Sequence, residues 1–386
     1  MRKILPAVVM GALVLGWTLR PLRGLAHVTT TNTVLFEREV VHILEAHCAA
    51  CHTDGGPASP LVTYEQTWLD RERVLASVLE RRMPPWPAVP GYGEFANDNG
   101  LTSRERQFVV SWVEGLGPRN AGERFLNVGG ERAADDRVQV SVDSGEWRLG
   151  EPDLIVALPP RAVDSGGEGR TERVLLDVAP ASARSIRALE FRPGDRRIVR
   201  AASFFVEETG QWLGSWTPWY GFVALPEGVA FRLPAGARIA AEIRYAATSE
   251  RAVAEGSLGF FFAGGSATEP SVPTELVLEA RDELPGFATG RRLHAEARMD
   301  GETRVLSLLP ELDPGAQSVE VSVRRPDGGT DILLFAKDFS QEWPTPYVMS
   351  EPILVPAGSV IRATAYFANR SETPRSVAFR VRVSRY

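Results

Sequence analysis

The chain has 386 residues but only two cysteines, placed three positions apart and followed at once by a histidine: Cys48-Ala49-Ala50-Cys51-His52. Thiols at that spacing on the end of a helix can each reach one vinyl group of a porphyrin. The next side chain, His52, is then held under the ring, where its imidazole ligates iron. The pattern predicts one covalent haem c, with Cys48 and Cys51 as attachment points and His52 as an axial ligand. Two other uses of such a pair have less behind them. A structural zinc site takes four ligands, and no second cysteine pair exists. A thioredoxin-like dithiol sits in a βαβ context, and none is visible here. With both thiols committed, no disulfide remains to staple the fold.

The flanking sequence fits a small helical module. Residues 34–47 place Phe36, Val40, Ile43, Leu44 and His47 close to helical spacing, which delivers Cys48 at the helix end. Residues 55–60 read Gly-Gly-Pro-Ala-Ser-Pro. A loop of that kind can fold beneath a ring, and one of its carbonyls can accept the second imidazole N–H. A second helix is expected over 64–82, with Trp68, Leu69, Leu75, Val78 and Leu79 on its apolar side. It stops at Met83-Pro84-Pro85-Trp86, because proline neither continues a helix nor lets the preceding residue do so easily. Thr102 and Glu105 form a capping box for a third helix, whose buried stripe is Phe108, Val109, Trp112 and Val113. Residues 115–118 end it.

Met83 is the expected sixth iron ligand. Of five methionines, Met1 and Met10 belong to the amino-terminal leader, and Met299 and Met349 fall in the β-rich half. A thioether stabilises ferrous iron, so a His52/Met83 pair implies a raised reduction potential. The alternative for Met83 is simple packing. His42 and His47 are rival ligands, but both lie on the helix leading into Cys48 and are expected at the surface or the haem rim.

The amino terminus has a basic start, Arg2 and Lys3, then a mostly apolar run from residue 4 to 17 and small residues near Ala26. This reads as a secretory signal peptide over 1–26. The apolar run is shorter than the roughly 20 residues of a spanning helix, so membrane contact is expected only if the leader stays attached. The net charge of −6 opposes nucleic-acid binding. Beyond about residue 117 the chain turns rich in Val, Arg, Gly and Pro, which signals β-structure. Segments 238–245, 319–325 and 377–383 alternate apolar and polar residues. Segment 258–262 is continuously apolar, as in a fully buried strand. Pro326-Asp327-Gly328-Gly329 is a turn signal. Two stacked antiparallel sandwiches are the natural outcome.

Residues 31–120 resemble the small c-type cytochrome domain found at the front of certain bacterial proteins. The resemblance rests on Phe36, the motif from Cys48 to His52, the loop from Gly55 to Pro60, Tyr64, Met83 to Trp86, Gly91 to Asn97, and Trp112. The family implies that Met83 is the axial ligand and that haem is attached outside the cytoplasm, so a periplasmic location is expected. Such domains are often fused to two jelly-roll-like β-sandwiches similar to copper type II, ascorbate-dependent monooxygenases of the peptidylglycine-hydroxylating kind. Here Trp147 to Asp153, Leu189 to Gly194, Arg196 to Phe204, Leu233 to Tyr245 and Val355 to Asn369 resemble parts of them. The implied layout is an α plus all-β chain. It comprises a haem domain over 27–119, a linker over 120–145, and sandwiches over 146–268 and 269–386.

The same resemblance implies two coppers held by about five histidines and a methionine. Beyond residue 145 the chain has one histidine, His294, expected on the surface at a strand start. The paired histidines read Val199-Arg200-Ala201 instead, a His-Tyr reads Arg244-Tyr245, and a Pro-His-x-His reads Pro310-Glu311-Leu312-Asp313. One histidine cannot supply two copper sites. Copper is therefore not expected and no catalytic residue is assigned. Glu311 and Asp313 are a minor calcium candidate, against a solvated-carboxylate alternative. Trp212, Trp216, Trp219 and Tyr220 form an aromatic cluster, expected to be packing before ligand groove. The expectation is a monohaem electron carrier with degenerate sandwiches as docking modules. Its partner would be a redox protein or a small electron donor or acceptor. A haem-fed monooxygenase and a haem-based redox or ligand sensor are the alternatives.

Overall fold

The computed structural model of the chain describes residues 33–120, 147–163, 169–248, 250–264, 269–340 and 342–386. The leader assigned to 1–26 and, beyond Asn120, the linker assigned to 120–145 lie outside them. The first helical stretch opens as a wide π-turn, Phe36–Val40, and continues as α1 (Val41–His47). Helices α2 (Tyr64–Leu79) and α3 (Ser103–Glu114) follow. Both begin on a reciprocal capping box, Thr63 with Gln66 and the expected Thr102 with Glu105. Each box satisfies two of the backbone donors that a helix start leaves free. Three rings join the helices. Phe36 stands 5.3 Å from Tyr64 and 5.7 Å from Trp112. The Tyr64 hydroxyl donates to the Gly117 carbonyl and the Trp112 indole to that of Pro118, at 2.9 and 3.0 Å. Their polar ends are thus satisfied inside an apolar core.

Two expectations for α2 are corrected. The helix ends at Leu79, three residues before Arg82. Leu69 and Leu79 are exposed, at 72% and 57%, not on the buried side. The buried stripe runs Tyr64, Thr67, Trp68, Leu75 and Val78. Leu69 and Leu79 each lie one residue past it, about 100° around the helix.

The remainder is antiparallel β-structure. The first half contributes β1 (Leu154–Val163), β2 (Arg170–Asp177), β3 (Arg184–Pro193), β4 (Val199–Val206) and β5 (Trp212–Trp216). It continues with β6 (Phe222–Ala224), β7 (Phe231–Leu233), β8 (Arg238–Tyr245) and β9 (Ala252–Phe262). One sheet runs β1-β9-β3-β6, with β7 also on β3, and the other β2-β8-β4-β5. They bury a common core containing Leu189, Phe191, Phe204, Ile239, Leu258 and Phe260.

The second half contributes β10 (Thr274–Leu284), β11 (Thr289–Arg298), β12 (Thr303–Leu312) and β13 (Ala316–Arg324). It ends with β14 (Thr330–Lys337), β15 (Tyr347–Val355), β16 (Val360–Ala368) and β17 (Arg375–Arg385). Its sheets are β10-β17-β12-β15 and β11-β16-β13-β14, with Leu308, Val321, Phe367 and Val381 between them. The expected turn at Pro326 to Gly329 closes the β13–β14 hairpin, with the Arg325 N–H donating to the Gly329 carbonyl at 2.7 Å. The strands expected around 238–245, 258–262, 319–325 and 377–383 are β8, the end of β9, β13 and β17. Among the described residues no helix is long and apolar enough to cross a membrane.

The helical segment and both sheet pairs belong to one unit, Val34–Tyr386. The stretch after Met83 joins them. Ala88 bridges Ala336 at the end of β14, and Phe95 bridges Met349 on β15, so this one segment edges both sheets of the second pair. The Val89 N–H donates to Phe335 at 2.8 Å and the Ala96 N–H to Val348 at 2.8 Å. Ala88 and Phe95 are buried in the second pair's own core. At Gly93 the backbone φ is +84°, and a Cβ there would lie 2.3 Å from the Leu333 carbonyl oxygen. Only glycine permits that turn and that approach.

Glu105 gives the helical segment an acid limit. Burial would raise its carboxyl, but hydrogen bonds from Thr102 and the charge of His47 outweigh burial and hold it below the ordinary value. A depressed folded-state value stabilises fully above the unfolded value of about 4.3 and is lost as pH falls through the folded one. Glu105→Gln should therefore be less stable than the parent in urea at pH 7. The gap should narrow as the pH is taken down through the ordinary glutamate range.

Candidate functional site

Leaving α1, the chain coils once more. The Cys48 and Ala49 amides donate to Leu44, at 2.9 and 2.8 Å, and the Cys51 and His52 amides to Cys48, at 3.0 and 2.8 Å. That turn sets the two thiols and the imidazole on one short ledge. The loop then folds back under it. Ala58 donates to the Cys51 carbonyl and Leu61 to that of His52, at 3.2 and 2.9 Å. The His52 Nδ1 lies 2.7 Å from the Ser59 carbonyl oxygen. A carbonyl only accepts, so Nδ1 carries the proton and Nε2 keeps its lone pair. This is the loop-to-imidazole bond expected from the sequence.

Met83 arrives from the other side. After Leu79 the chain turns at Arg81, whose φ is +56°. The amides of Arg82 and Met83 then return to the Ser77 carbonyl, at 2.9 and 3.2 Å. Cys48, His52 and Met83 come together on one cavity of about 370 Å³. Its apolar walls are Ile43 and Leu44 of α1, Val78 of α2, Val109 of α3, and Leu61 and Leu101 from the loops; Asp70 and Arg73 of α2 also line it, and Cys51 does not. A neutral imidazole nitrogen, a thioether and a paired thiol facing an apolar chamber fit haem chemically: a flat apolar body with iron that accepts N and S donors.

The rival histidines are placed elsewhere. His42 is exposed, 3.9 Å from Glu45. Both ring nitrogens of His47 are engaged, Nδ1 with the Asn99 carbonyl and Nε2 with the Glu105 carboxylate, each at 3.3 Å. Burial pushes the Cys48 thiol up to about 12, with a further push from Cys51. Burial also lifts Cys51 to about 11, against the lowering charges of Arg200 and Arg196. Redox and nucleophilic cysteines need the opposite, a thiol pushed down toward neutral pH. Among the described residues no three His, Cys, Asp or Glu side chains converge on one point.

Sequence reasoning missed what stands beside the motif. Arg196 donates to the Ala50 carbonyl at 3.3 Å and to that of Pro218 at 3.5 Å. Arg200 lies with its guanidinium 4.9 Å from the Trp343 ring, and Trp343 is 6.1 Å from Trp219. Two cations thus flank the thiol ledge, and one of them, Arg200, stacks on a tryptophan from beyond β14. Nothing in local sequence signals a meeting across some 150 residues.

The expected aromatic cluster does not form one groove. Trp212 packs with Phe205, Ala240 and Leu309 between the sheet pairs. Trp216 sits in the first core, 5.6 Å from Phe191. Trp219 pairs with Trp343, and Tyr220 lies 5.1 Å from Phe222. His294 is exposed, as expected, but in the middle of β11 and not at its start. Glu311 bonds Arg382 at 3.1 Å, and Asp313 accepts the Ala378 amide at 2.7 Å. Each carboxylate has a structural partner, and they do not converge on a shared cation position.

No known family model and no curated protein matches the chain. Solved structures show a faint likeness. PNGase F, a glycosylasparaginase from Flavobacterium meningosepticum, shares 10% identity over 60% of this chain and 96% of its own, with a TM-score of 0.29. A triple jelly roll protein of an archaeal virus turret shares 8% over 60% and 58%, at 0.20. Allantoicase shares 14% over 55% and 77%, at 0.18.

Gly56 tests the loop geometry. A Cβ there would stand 2.3 Å from the Cys51 carbonyl oxygen, a backbone atom that cannot swing away. Gly56→Ala should lower stability by about 1–3 kcal/mol. It should also break the His52–Ser59 contact, read as a shifted His52 imidazole signal in NMR.

Proposed function

We propose that the chain is an exported monohaem c-type cytochrome that carries single electrons. In this reading a small helical cytochrome domain, residues 27–119, precedes two jelly-roll-like sandwiches, residues 146–268 and 269–386. The observation that supports it most is the meeting of Cys48, His52 and Met83 on one apolar-walled cavity. Met83 lies 31 residues beyond the motif that carries Cys48 and His52, and each was expected at the iron or its ring for a separate chemical reason.

Haem, when bound, would supply reversible one-electron cycling of its iron. Cys48 and Cys51 would hold it by thioethers. His52 Nε2 and the Met83 sulfur are the two donors free to ligate. The Ser59 carbonyl fixes the His52 ring and makes it a better donor. Arg196 and Arg200 place positive charge next to the ledge and so favour the less positively charged state of a group held there.

The sheet pairs give no support to copper chemistry. The positions that resemble copper ligands carry Arg200, Arg244, Glu311 and Asp313, and the lone histidine of this half, His294, sits on a separate exposed strand. Docking of a redox partner protein or a small donor is the role left to them. Export to the periplasm rests on the leader-like sequence of residues 1–26.

The test is the absorption spectrum and metal content of the exported protein. One iron per chain is expected, with no stoichiometric copper and with colour that survives acidic organic solvent. Met83→Ala should keep the pigment but lose the weak red-end band of methionine-bound ferric iron, and its potential should fall. Colourless protein, or copper at one or two equivalents, overturns the reading.

A further inference from the structure

The two sheet pairs meet across a cleft that the haem reading does not use. Strand alternation determines what faces it. On β8, Ile239, Ala241, Ile243 and Tyr245 enter the first core, which leaves Ala240, Glu242 and Arg244 on the outer face. On β4 the register sets Ala201 against Arg244, Ser203 against Glu242 and Phe205 against Ala240. That outer face lies against β12 of the second pair. Phe205, Trp212, Ala240 and Leu309 seal one end of the seam. Beyond the seal the faces part around a cavity of about 290 Å³. Arg244 and Ser203 lie on one side, and Phe339, Trp343, Pro344 and Tyr347 on the other.

One cation in this cleft is left without a partner. Glu242 pairs with Arg173 at 2.7 Å, and Arg173 also pairs with Glu207. Glu311 is neutralised by Arg382 at 3.1 Å, and Arg382 also holds Glu275 at 2.6 Å. The Ser203 hydroxyl is taken by Ser215 at 2.7 Å. Among the described residues Arg244 has no ion pair or hydrogen bond, and its Nε is buried without a partner. Tyr347 is 1% exposed, and its hydroxyl also lacks a partner. Its ring is gripped by Trp86 and Phe95, each at 5.2 Å, so the hydroxyl cannot easily move to find one. A buried donor left without an acceptor costs about 1–3 kcal/mol.

We propose that this cleft binds a small aromatic monocarboxylate. Its carboxylate would sit on the Arg244 guanidinium and the Tyr347 hydroxyl, and its ring against Phe339, Trp343 and Pro344. Arg244, the cation lining the cleft without a partner, calls for an anionic group. The planar fork of arginine matches a planar carboxylate. The volume lies at the small end for ligand pockets, which fits a one-ring acid. The site is independent of haem, since none of its residues is a proposed ligand.

Calorimetric titration of the full exported protein with sodium benzoate tests it, with neutral benzamide as the matched probe. Saturable benzoate binding is expected, with benzamide at least tenfold weaker. Arg244→Gln should weaken benzoate at least tenfold. Tyr347→Phe should weaken it several-fold without lowering the melting temperature, since the hydroxyl it removes has no partner in the free protein. The proposal is overturned if benzoate shows no saturable binding up to millimolar concentration, if benzamide binds as well, or if either variant binds benzoate like the parent.

Discussion

The geometry of the candidate site depends on a backbone graft. The stretch that carries Met83 onward does not end as a loop in solvent. It pairs with β14 at Ala88 and with β15 at Phe95, and puts both side chains into the core between those sheets. Open sheet edges are exposed rows of donors and acceptors, and a graft of this kind satisfies them. One consequence is mechanical. Met83 is anchored on one side to α2 through the Ser77 carbonyl and on the other, a few residues later, to the second sheet pair. Met83 and His52 line the same cavity, and both ends of the Met83 segment are fixed.

The same graft explains why the helices alone do not make the site. α1, α2 and α3 form a small core around Phe36, Tyr64 and Trp112. They supply the ledge and the walls. The far side of the Met83 segment is held by Trp86, which packs on Phe95 and Tyr347 at 5.8 and 5.2 Å. Tyr347 therefore has its ring in the joint between the helical segment and the second pair, and it also lines the cleft between the pairs.

Much of this was legible because the deciding signals are local. A capping box, a proline pair and a period of two each act within a few residues, so α3, the stop before Met83, and strands β8, β13 and β17 could be read directly. The His52–Ser59 bond was also legible, since a tight loop after the motif has few other places to put a carbonyl. The errors follow from the same logic. Leu69 and Leu79 are good helix formers and apolar, but a stripe is set by angle, and each lies one step past it. The four aromatics between Trp212 and Tyr220 are close in sequence, yet a strand alternates faces and then turns, so Trp212 and Trp216 pack in two separate clusters, as packing residues were expected to. Arg196, Arg200 and Trp343 could not be found at all. Their relation to Cys51 exists only after three separate segments have folded.

The thiols show how local and non-local effects combine. A Cys-x-x-Cys pair is often reactive because its environment lowers one thiol. Here two arginines do lower Cys51, but burial outweighs them and both thiols end far above neutral. A pair held in that state makes a poor redox couple and a poor nucleophile in the folded chain. What it retains is position: fixed spacing, a neighbouring imidazole with a free nitrogen, and an apolar chamber in front.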